Sequence, residues 1–415
     1  MKNFGASLDD AGARTLTQSA VDGFWILLVF GLLFFNPFSV GPAGSRINLS
    51  LYDLLLPLIF LFEAMRGRIQ WPNRSRVLLF LLPVVAIVFH SALVALLSEN
   101  SYLAPLFIGT LRQAAFFLDI GMLLLLFQMP ERRRPSQGVF LALLFMAAVY
   151  ALMMRYLEHN VIGWETYETI YAAILTGLLL LFLFLLSEAK KSEFFIRALA
   201  ASAWAAAVLF LIFAKLFIVL AVLLVLLFFF SELRKREGRR MGRFFFLVCI
   251  STALTAVFIA VLLKINLGAN FSLIYGDLFS GIQHSIDVRV RIWSSAWGLI
   301  AQSFPWGVGL NQFSDQVLAT TGAAFGGLRS IHNTPLRLLT ELGALGIAIF
   351  GVVVALVVMS GRKLSGVWQA MLCLYLLTPM LFHDALGLRV FHVVLAFFLA
   401  KALFQTGPNR GDVHR

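Results

Sequence analysis

The chain has 415 residues, of which 60% are hydrophobic and 13% are charged, and its lysines and arginines exceed its acidic residues by a net charge of +12. Soluble domains are about half apolar and about one quarter charged, so this composition excludes a soluble enzyme and a disordered protein. The length is therefore better counted in bilayer crossings, each of which needs about 20 apolar residues.

Apolar runs predict about twelve transmembrane helices, so the expected fold is an all-α polytopic integral membrane protein. In chain order, the predicted spans are Phe24–Phe38, Leu49–Met65, Val77–Leu97, Leu103–Phe127, Gly138–Leu157, Thr169–Leu186, Ile196–Ala214, Phe217–Phe230, Phe244–Lys264, Pro335–Met359, Val367–Phe382 and Ala385–Leu403. Basic clusters lie between every second pair of spans, and the richest lies within residues 234–243. Because positively charged loops stay in the cytoplasm, both termini are expected there, and the basic excess is a topology signal that does not indicate nucleic acid.

One loop on the opposite face is much longer than the others, because residues 265–334 contain no predicted span and run for about 70 residues. We expect it to be partly helical, with an amphipathic helix around Ile292–Ser303, although the alternation over residues 286–292 fits a short extended piece equally well. The predicted organisation is transmembrane helices 1–9 in residues 1–264, the large outer loop in 265–334, and helices 10–12 with a cytoplasmic tail in 335–415.

Several cations fall in the outer half of the predicted bundle. Arg112 lies inside the fourth span, Arg389 lies near the start of the last span, and Lys215 lies at the outer turn after the seventh span. A cation at membrane depth costs several kcal/mol unless it is paired or faces a wet interior. These side chains either pair internally, reach the interface, or line a cavity for an anion. Phosphate is the natural anion, because the arginine fork matches its oxygens.

The outer loop contains further candidates. Arg289 and Arg291 precede Trp293; on a helix Arg289 shares a face with Trp293, whereas in an extended piece both arginines point the same way. His332 lies just before the predicted tenth span, where the positive helix end disfavours a protonated imidazole. A neutral His332 could accept a proton from a hydroxyl. A second pair, His383-Asp384, is either functional or part of a satisfied turn.

No metal or cofactor site is expected. The sequence contains no His-Glu-x-x-His, Cys-x-x-Cys or Asp-x-Asp pattern, and the outer loop has few carboxylates. Its two cysteines lie in apolar runs and form neither a disulfide framework nor a metal-ligand spacing.

The outer loop and the following span resemble a known family pattern. Its elements in order are Arg289-Val-Arg-Ile-Trp293, Pro305-Trp-Gly307-Val-Gly309, Phe313, His332-Asn333, Leu336, Glu341, Gly343 and Gly346. Together they resemble the O-antigen ligase and polymerase superfamily over about 60 residues, in addition to the shared layout of spans and one large loop. The size favours the lipopolysaccharide O-antigen ligases over the longer protein glycosyltransferases of that superfamily.

The resemblance implies a GT-C-like glycosyltransferase in the bacterial inner membrane, with its active site facing the periplasm. The donor would be a glycan on undecaprenyl pyrophosphate, and the acceptor a sugar hydroxyl of lipid A-core. Transfer would be inverting and independent of metal. Arg289 matches the arginine four residues before the tryptophan, and His332 matches the histidine of the His-Asn motif. Arg291 has no clear counterpart in the family. Lys215 stands where the family often has arginine, and a lysine keeps the positive charge but cannot make the bidentate contact of a guanidinium.

Residue chemistry and resemblance therefore predict His332 and Arg289 as catalytic residues, with Arg291, Lys215, Arg112 and Arg389 binding the pyrophosphate. The nearest alternative is an O-antigen polymerase that uses a second lipid-linked glycan as acceptor. A more distant alternative is a lipid or solute transporter, which would favour inverted repeats and broken helices in both halves. A purely structural scaffold would not explain cations in the outer half of the membrane.

Overall fold

A computed structural model describes residues 5–33, 38–40, 47–69, 74–97, 103–157, 168–189, 194–211, 215–235, 288–321 and 331–404. The helices in these ranges are α1 (Gly5–Leu33), α2 (Leu51–Met65), α3 (Arg74–Leu97), α4 (Leu103–Phe127), α5 (Gln137–Leu157), α6 (Glu168–Ala189), α7 (Phe194–Leu211), α8 (Lys215–Lys235), α9 (288–303), α10 (Phe313–Thr321), α11 (Thr334–Leu342), α12 (Ala344–Gly361), α13 (Gly366–Phe382) and α14 (Arg389–Phe404). Short 3₁₀ turns occupy Pro130–Arg133 and Ala385–Gly387. Two three-residue strands, β1 (Phe38–Val40) and β2 (Ile47–Leu49), pair antiparallel.

The described residues are almost entirely helical and the helices have the composition of membrane spans, which is consistent with the predicted helical membrane protein. Within the part of the chain that the structure describes, five segments are long and apolar enough to cross a bilayer: Phe80–Leu97, Leu103–Phe127, Gln137–Met154, Ile170–Glu188 and Ala344–Gly361. Shorter apolar helices cover Gln18–Leu33, Ala200–Leu209, Leu216–Phe229 and Gly366–Phe382. The predicted ninth span, Phe244–Lys264, lies outside the described residues, so the total of twelve remains a prediction.

Helix α6 lies at the centre of the bundle. Within its apolar segment Ile170–Glu188, 89% of the residues are buried inside the protein, whereas only 33% are buried in the apolar span of α3. A helix that is hydrophobic on all sides needs apolar partners all round, and α6 packs against α5, α7, α8 and α14. Helices α2, α3 and α5 instead expose large apolar side chains, among them Leu58, Phe89 and Phe145, as lipid contact requires. Helix α14 resembles α6, since its residues 390–400 are all buried.

The predicted tenth span is wrong as a single helix, because the structure divides it into α11 and α12 at Gly343. This glycine has φ +59°, and a Cβ there would clash with the carbonyl oxygen of Pro305. The loop beginning at Pro305 bonds to the backbone groups that the break sets free: Val308 N–H donates to Thr340 O at 2.9 Å, and Ala344 N–H donates to Pro305 O at 2.8 Å. The family-like glycines of the outer loop therefore serve a close backbone contact at this break.

Two other elements differ from the predictions. Helix α1 begins at Gly5, well before the predicted start at Phe24, so polar residues extend the first apolar helix. The strand pair between α1 and α2 was not predicted, since three-residue strands carry too short a pattern to recognise.

Ion pairs join the helix ends at one end of the bundle. Arg132, after α4, contacts Glu63 of α2 at 2.9 Å, and Lys401 of α14 pairs with Glu188 of α6. These residues belong to the ends where the basic clusters were predicted, and Trp25 adds a hydrogen bond to the Arg132 carbonyl at 2.8 Å. The tertiary structure thus gathers these loops together, while the segments around His332 and His383 lie at other helix ends.

Candidate active site

The His332 segment is fixed against the turn between α13 and α14. Asn333 caps α11 by accepting from the Leu336 N–H at 2.9 Å, and its amide donates to the Leu381 carbonyl at 3.0 Å. Thr334 Oγ1 donates to the His383 carbonyl at 2.9 Å. The imidazole rings of His332 and His383 consequently lie 6.5 Å apart, centre to centre.

Helix α9 places Arg289 near His332. The indole of Trp293 donates to the Ile331 carbonyl at 3.0 Å, which ties this helix to the residue before His332. Because residues 288–303 are helical, the extended alternative is wrong from residue 288 onward. Arg289 lies half-buried one turn before Trp293, whereas Arg291 is exposed on another side of the helix.

A buried network of charges lies beneath these residues. The Arg337 guanidinium hydrogen-bonds to the Asp384 carboxylate through Nη1 and to Glu341 Oε2 through Nε at 3.0 Å. Arg112 of α4 also reaches Asp384, with Nη2 3.5 Å from Oδ2. The side chains of Arg337 and Glu341 are almost fully buried, so each charge needs its partner. These two arginines and two carboxylates compensate one another.

The electrostatics of the turn follow from this network. Burial by itself favours the protonated acid, but Arg337 and Arg112 outweigh it and hold the pKa of Asp384 below its ordinary value. Burial and the positive charge of Arg289 lower the pKa of His332, and the same two causes, with His332 added, lower the pKa of His383 to about 4. Both imidazoles are therefore neutral near pH 7.

Arg289 differs from the other arginines of the site in having no counterion among the described residues. Burial lowers the pKa of the Arg289 guanidinium, and no carboxylate of the described residues raises it again. A half-buried guanidinium that has no carboxylate partner favours the binding of an anion from the solution or from the membrane.

Arg389, by contrast, is paired within the protein. Its Nε and Nη2 contact the two carboxylate oxygens of Asp53 at 2.9 and 3.2 Å, and its Nη1 donates to the Gly387 carbonyl at 2.6 Å. Asp53 also forms the capping box of α2 with Ser50. This bidentate pair fixes the start of α14 against the start of α2.

Lys215 is the first residue of α8, and its side chain lies outside the described part of the structure. The helix itself reaches the site, because Phe217 is fully buried and stacks on the His383 ring with centroids 6.4 Å apart. The backbone position of Lys215 is thus one helical turn or less from a residue that contacts the site.

Metal ligands do not cluster within the described ranges: no three His, Cys, Asp or Glu side chains there are placed to hold an ion. Asp384 pairs with Arg337 and Arg112, and these two arginines would compete with a metal cation for its carboxylate.

Arg337 was not among the predicted site residues, and no counterion was predicted for Arg389. Arg337 and Glu341 lie four residues apart on α11, a spacing that predicts an ion pair and was available from the sequence. The pairing of Asp53 with Arg389 joins residues far apart in the chain and carries no local signal.

A comparison with protein-family models identifies part of the chain. Residues 200–351 match the family described as O-antigen ligase. This segment is similar to the O-antigen ligases. The match confirms the resemblance seen in the outer loop. None of the curated proteins compared with the chain matches it.

The segment that matches the ligase family contains Lys215, Arg289, Arg291 and His332, and it continues through α11 and the Gly343 break into α12. Asp384, Arg112 and Arg389 come from helices outside it. The site is thus assembled from the family segment and from elements before and after it in the chain.

Proposed function

We propose that the protein is an O-antigen ligase that transfers a glycan from undecaprenyl pyrophosphate to a sugar hydroxyl of lipid A-core at the periplasmic face of the inner membrane. The observation that carries this proposal is the placement of Arg289, a cation without a counterion in the described residues, beside the neutral His332 within a ligase-family segment.

Arg289 is proposed to bind the pyrophosphate of the donor. Its guanidinium offers two parallel donors to phosphate oxygens, and its half-buried position strengthens the contact relative to water. Lys215 and Arg291 are proposed as further contacts to the same group. Negative charge grows on the pyrophosphate as it leaves, so cations held in place stabilise the transition state.

His332 is proposed to act on the acceptor hydroxyl. The acceptor oxygen forms a bond to the anomeric carbon from the face opposite the pyrophosphate, and the bond between that carbon and the phosphate oxygen breaks. The proton of the hydroxyl passes to the neutral imidazole, and the configuration at the anomeric carbon is inverted. The low pKa of His332 keeps it ready to accept this proton at neutral pH.

Arg112 and Arg389 are proposed to hold the turn between α13 and α14 in place. Arg112 joins Arg337 on Asp384, and Arg389 holds the Gly387 carbonyl of the same turn. Both residues therefore fix the segment that faces His332, and Arg112, whose side chain is 48% exposed, keeps access to a phosphate as well.

The wider arrangement is part of the proposal. It consists of twelve spans in a GT-C-like transferase, the division at residues 1–264, 265–334 and 335–415, and both termini in the cytoplasm. The alternation of basic clusters and the ion pairs at one end of the bundle support it. The reaction is proposed to need no metal or cofactor.

The test is a reconstituted transfer assay with the purified protein and an undecaprenyl pyrophosphate glycan. Ligase activity predicts a product on added lipid A-core, whereas a product on a second lipid-linked glycan alone would identify a polymerase. Movement of labelled lipid across a vesicle without a covalent product would identify a transporter. EDTA should leave transfer unchanged; a loss restored by a divalent metal would overturn the metal-independent mechanism.

A further inference from the structure

One edge of α9 exposes large apolar side chains although the helix is part of the outer loop. Val290, Trp297 and Phe304 follow one another at intervals of seven residues, or about two helical turns, so they lie along one side. Their exposed fractions are 56%, 58% and 55%, and that of the nearby Trp306 is 62%. We refer to these four residues as the aromatic ridge.

The other sides of α9 differ from the aromatic ridge. Ile292, Ala296 and Leu299 are buried in a small core with α10 and α11. Gln302 is exposed about 140° around the helix axis from Trp297, on the side that also carries Arg291. The helix therefore has a protein face, a polar exposed edge and an apolar exposed edge.

The end of the aromatic ridge lies at membrane depth. The Trp306 carbonyl accepts a hydrogen bond at 2.7 Å from Nε2 of His90, which is about 10 Å inside the end of α3. The following residues meet α4 at a similar depth: a Cβ on Gly109 would come within 2.8 Å of Leu310. The loop after α9 thus enters between the ends of two spans.

The exposed apolar side of α3 lies next to the aromatic ridge. Near His90, Val85, Val88 and Phe89 of α3 have exposed fractions of 61%, 50% and 69%. In a helix that spans the bilayer, such residues contact lipid. Tryptophan also prefers the boundary between headgroups and acyl chains, where its indole N–H remains hydrated.

We infer that the aromatic ridge is inserted into the lipid of the outer leaflet, so that α9 is an interfacial helix. Bilayer lipid is the occupant that fits, because the ridge adjoins the lipid-facing side of α3 and lies at the depth of His90. With Arg289 on the same helix, insertion would fix the height of this cation relative to the membrane.

The test measures lipid contact and does not depend on transfer activity. A nitroxide is attached at Trp297→Cys, Trp306→Cys or Gln302→Cys in the Cys249→Ser, Cys373→Ser chain, reconstituted in nanodiscs without donor lipid. Collision rates are then measured with oxygen, which concentrates in lipid, and with a water-soluble nickel chelate. All three positions are exposed, and the Trp306 backbone contact to His90 is retained.

Labels at 297 and 306 are expected to collide severalfold more with oxygen than with the chelate, and the label at 302 to show the reverse. Equal chelate access at all three positions would overturn the inference in favour of a hydrated helix. Low access to both reagents at 297 and 306 would overturn it in favour of protein contact. Loss of transfer activity in an Arg289 variant would leave this result unchanged, so the two proposals fail separately.

Discussion

Arg289 was predicted to be catalytic and Arg389 to bind the pyrophosphate, and the surroundings of these two arginines differ. Arg389 is held by both oxygens of Asp53 and by a backbone carbonyl, whereas Arg289 has no carboxylate among the described residues. A paired arginine at membrane depth satisfies its charge within the protein and stabilises the fold. An arginine without a partner favours a ligand, so the local charge balance separates two residues that look alike in the sequence.

The same contrast divides the site into two layers. Arg337, Asp384 and Glu341 form a buried and mutually satisfied layer. Above it lie Arg289 and the neutral His332, the residues proposed to act on the two substrates. The following predictions test this division, beginning with the largest expected effect.

Replacing His332 with alanine should reduce transfer by about 10²–10⁴-fold, the range typical of a lost general base. The expected loss lies in kcat, with little change in melting temperature, measured by initial rates on lipid A-core and by thermal unfolding in detergent. His383→Ala is the matched control and should lose much less. Full activity of His332→Ala would contradict the base role.

Replacing Arg289 with glutamine should reduce kcat/KM by about 10²-fold, because one charge-assisted contact to the leaving pyrophosphate is lost. Arg291→Gln, on the exposed edge of the same helix, should lose far less. Equal losses in both variants would contradict the distinction between them.

The same Arg289 variant should change the pH profile. Transfer needs neutral His332 and is lost as the pH falls through its pKa, which burial and the Arg289 charge hold below its ordinary value. Without that charge the pKa rises, so the acidic limb of kcat/KM should move to higher pH. An unchanged limb would show that Arg289 does not act on His332.

Replacing Asp384 with asparagine should destabilise the protein by about 3–5 kcal/mol, since it leaves the buried Arg337 without this carboxylate. Thermal unfolding should show the loss, and transfer should fall with it because the turn facing His332 loosens. Since the pKa of Asp384 is lowered in the folded state, its stabilising effect is present above its ordinary value of 3.8 and disappears as the pH falls through the lower folded value. The wild type and Asp384→Asn should therefore converge in stability only in strong acid.

The smallest effect on activity is expected for the Asp53 and Arg389 pair. Arg389→Met alone should be destabilised, because it leaves the partly buried Asp53 without its cation. The double variant Asp53→Leu, Arg389→Met should regain much of that stability and retain transfer within about threefold of the wild type. Melting temperatures and transfer rates of the single and double variants check this. A stable double variant with no transfer would show that Arg389 contacts the substrate after all.

The helices could largely be predicted because lipid imposes a simple requirement on them. Runs such as Leu103–Phe127 must satisfy their backbone internally and present apolar side chains, so their length and limits can be read directly. The break at Gly343 could not be found in this way, since it depends on the Pro305 loop supplying hydrogen bonds from about 40 residues earlier in the chain.

For the site, the amino-acid sequence by itself determined which residues carry suitable chemistry: Arg289 and His332 stand in a family-like order, and the family match covers both. Only the tertiary structure decided which charges already have partners, because the pairing of Asp53 with Arg389 and of Arg112 with Asp384 requires distant helices to pack together. Composition can show that cations at membrane depth need anions, but whether the anion is a carboxylate of the protein or a phosphate of a substrate depends on three-dimensional proximity.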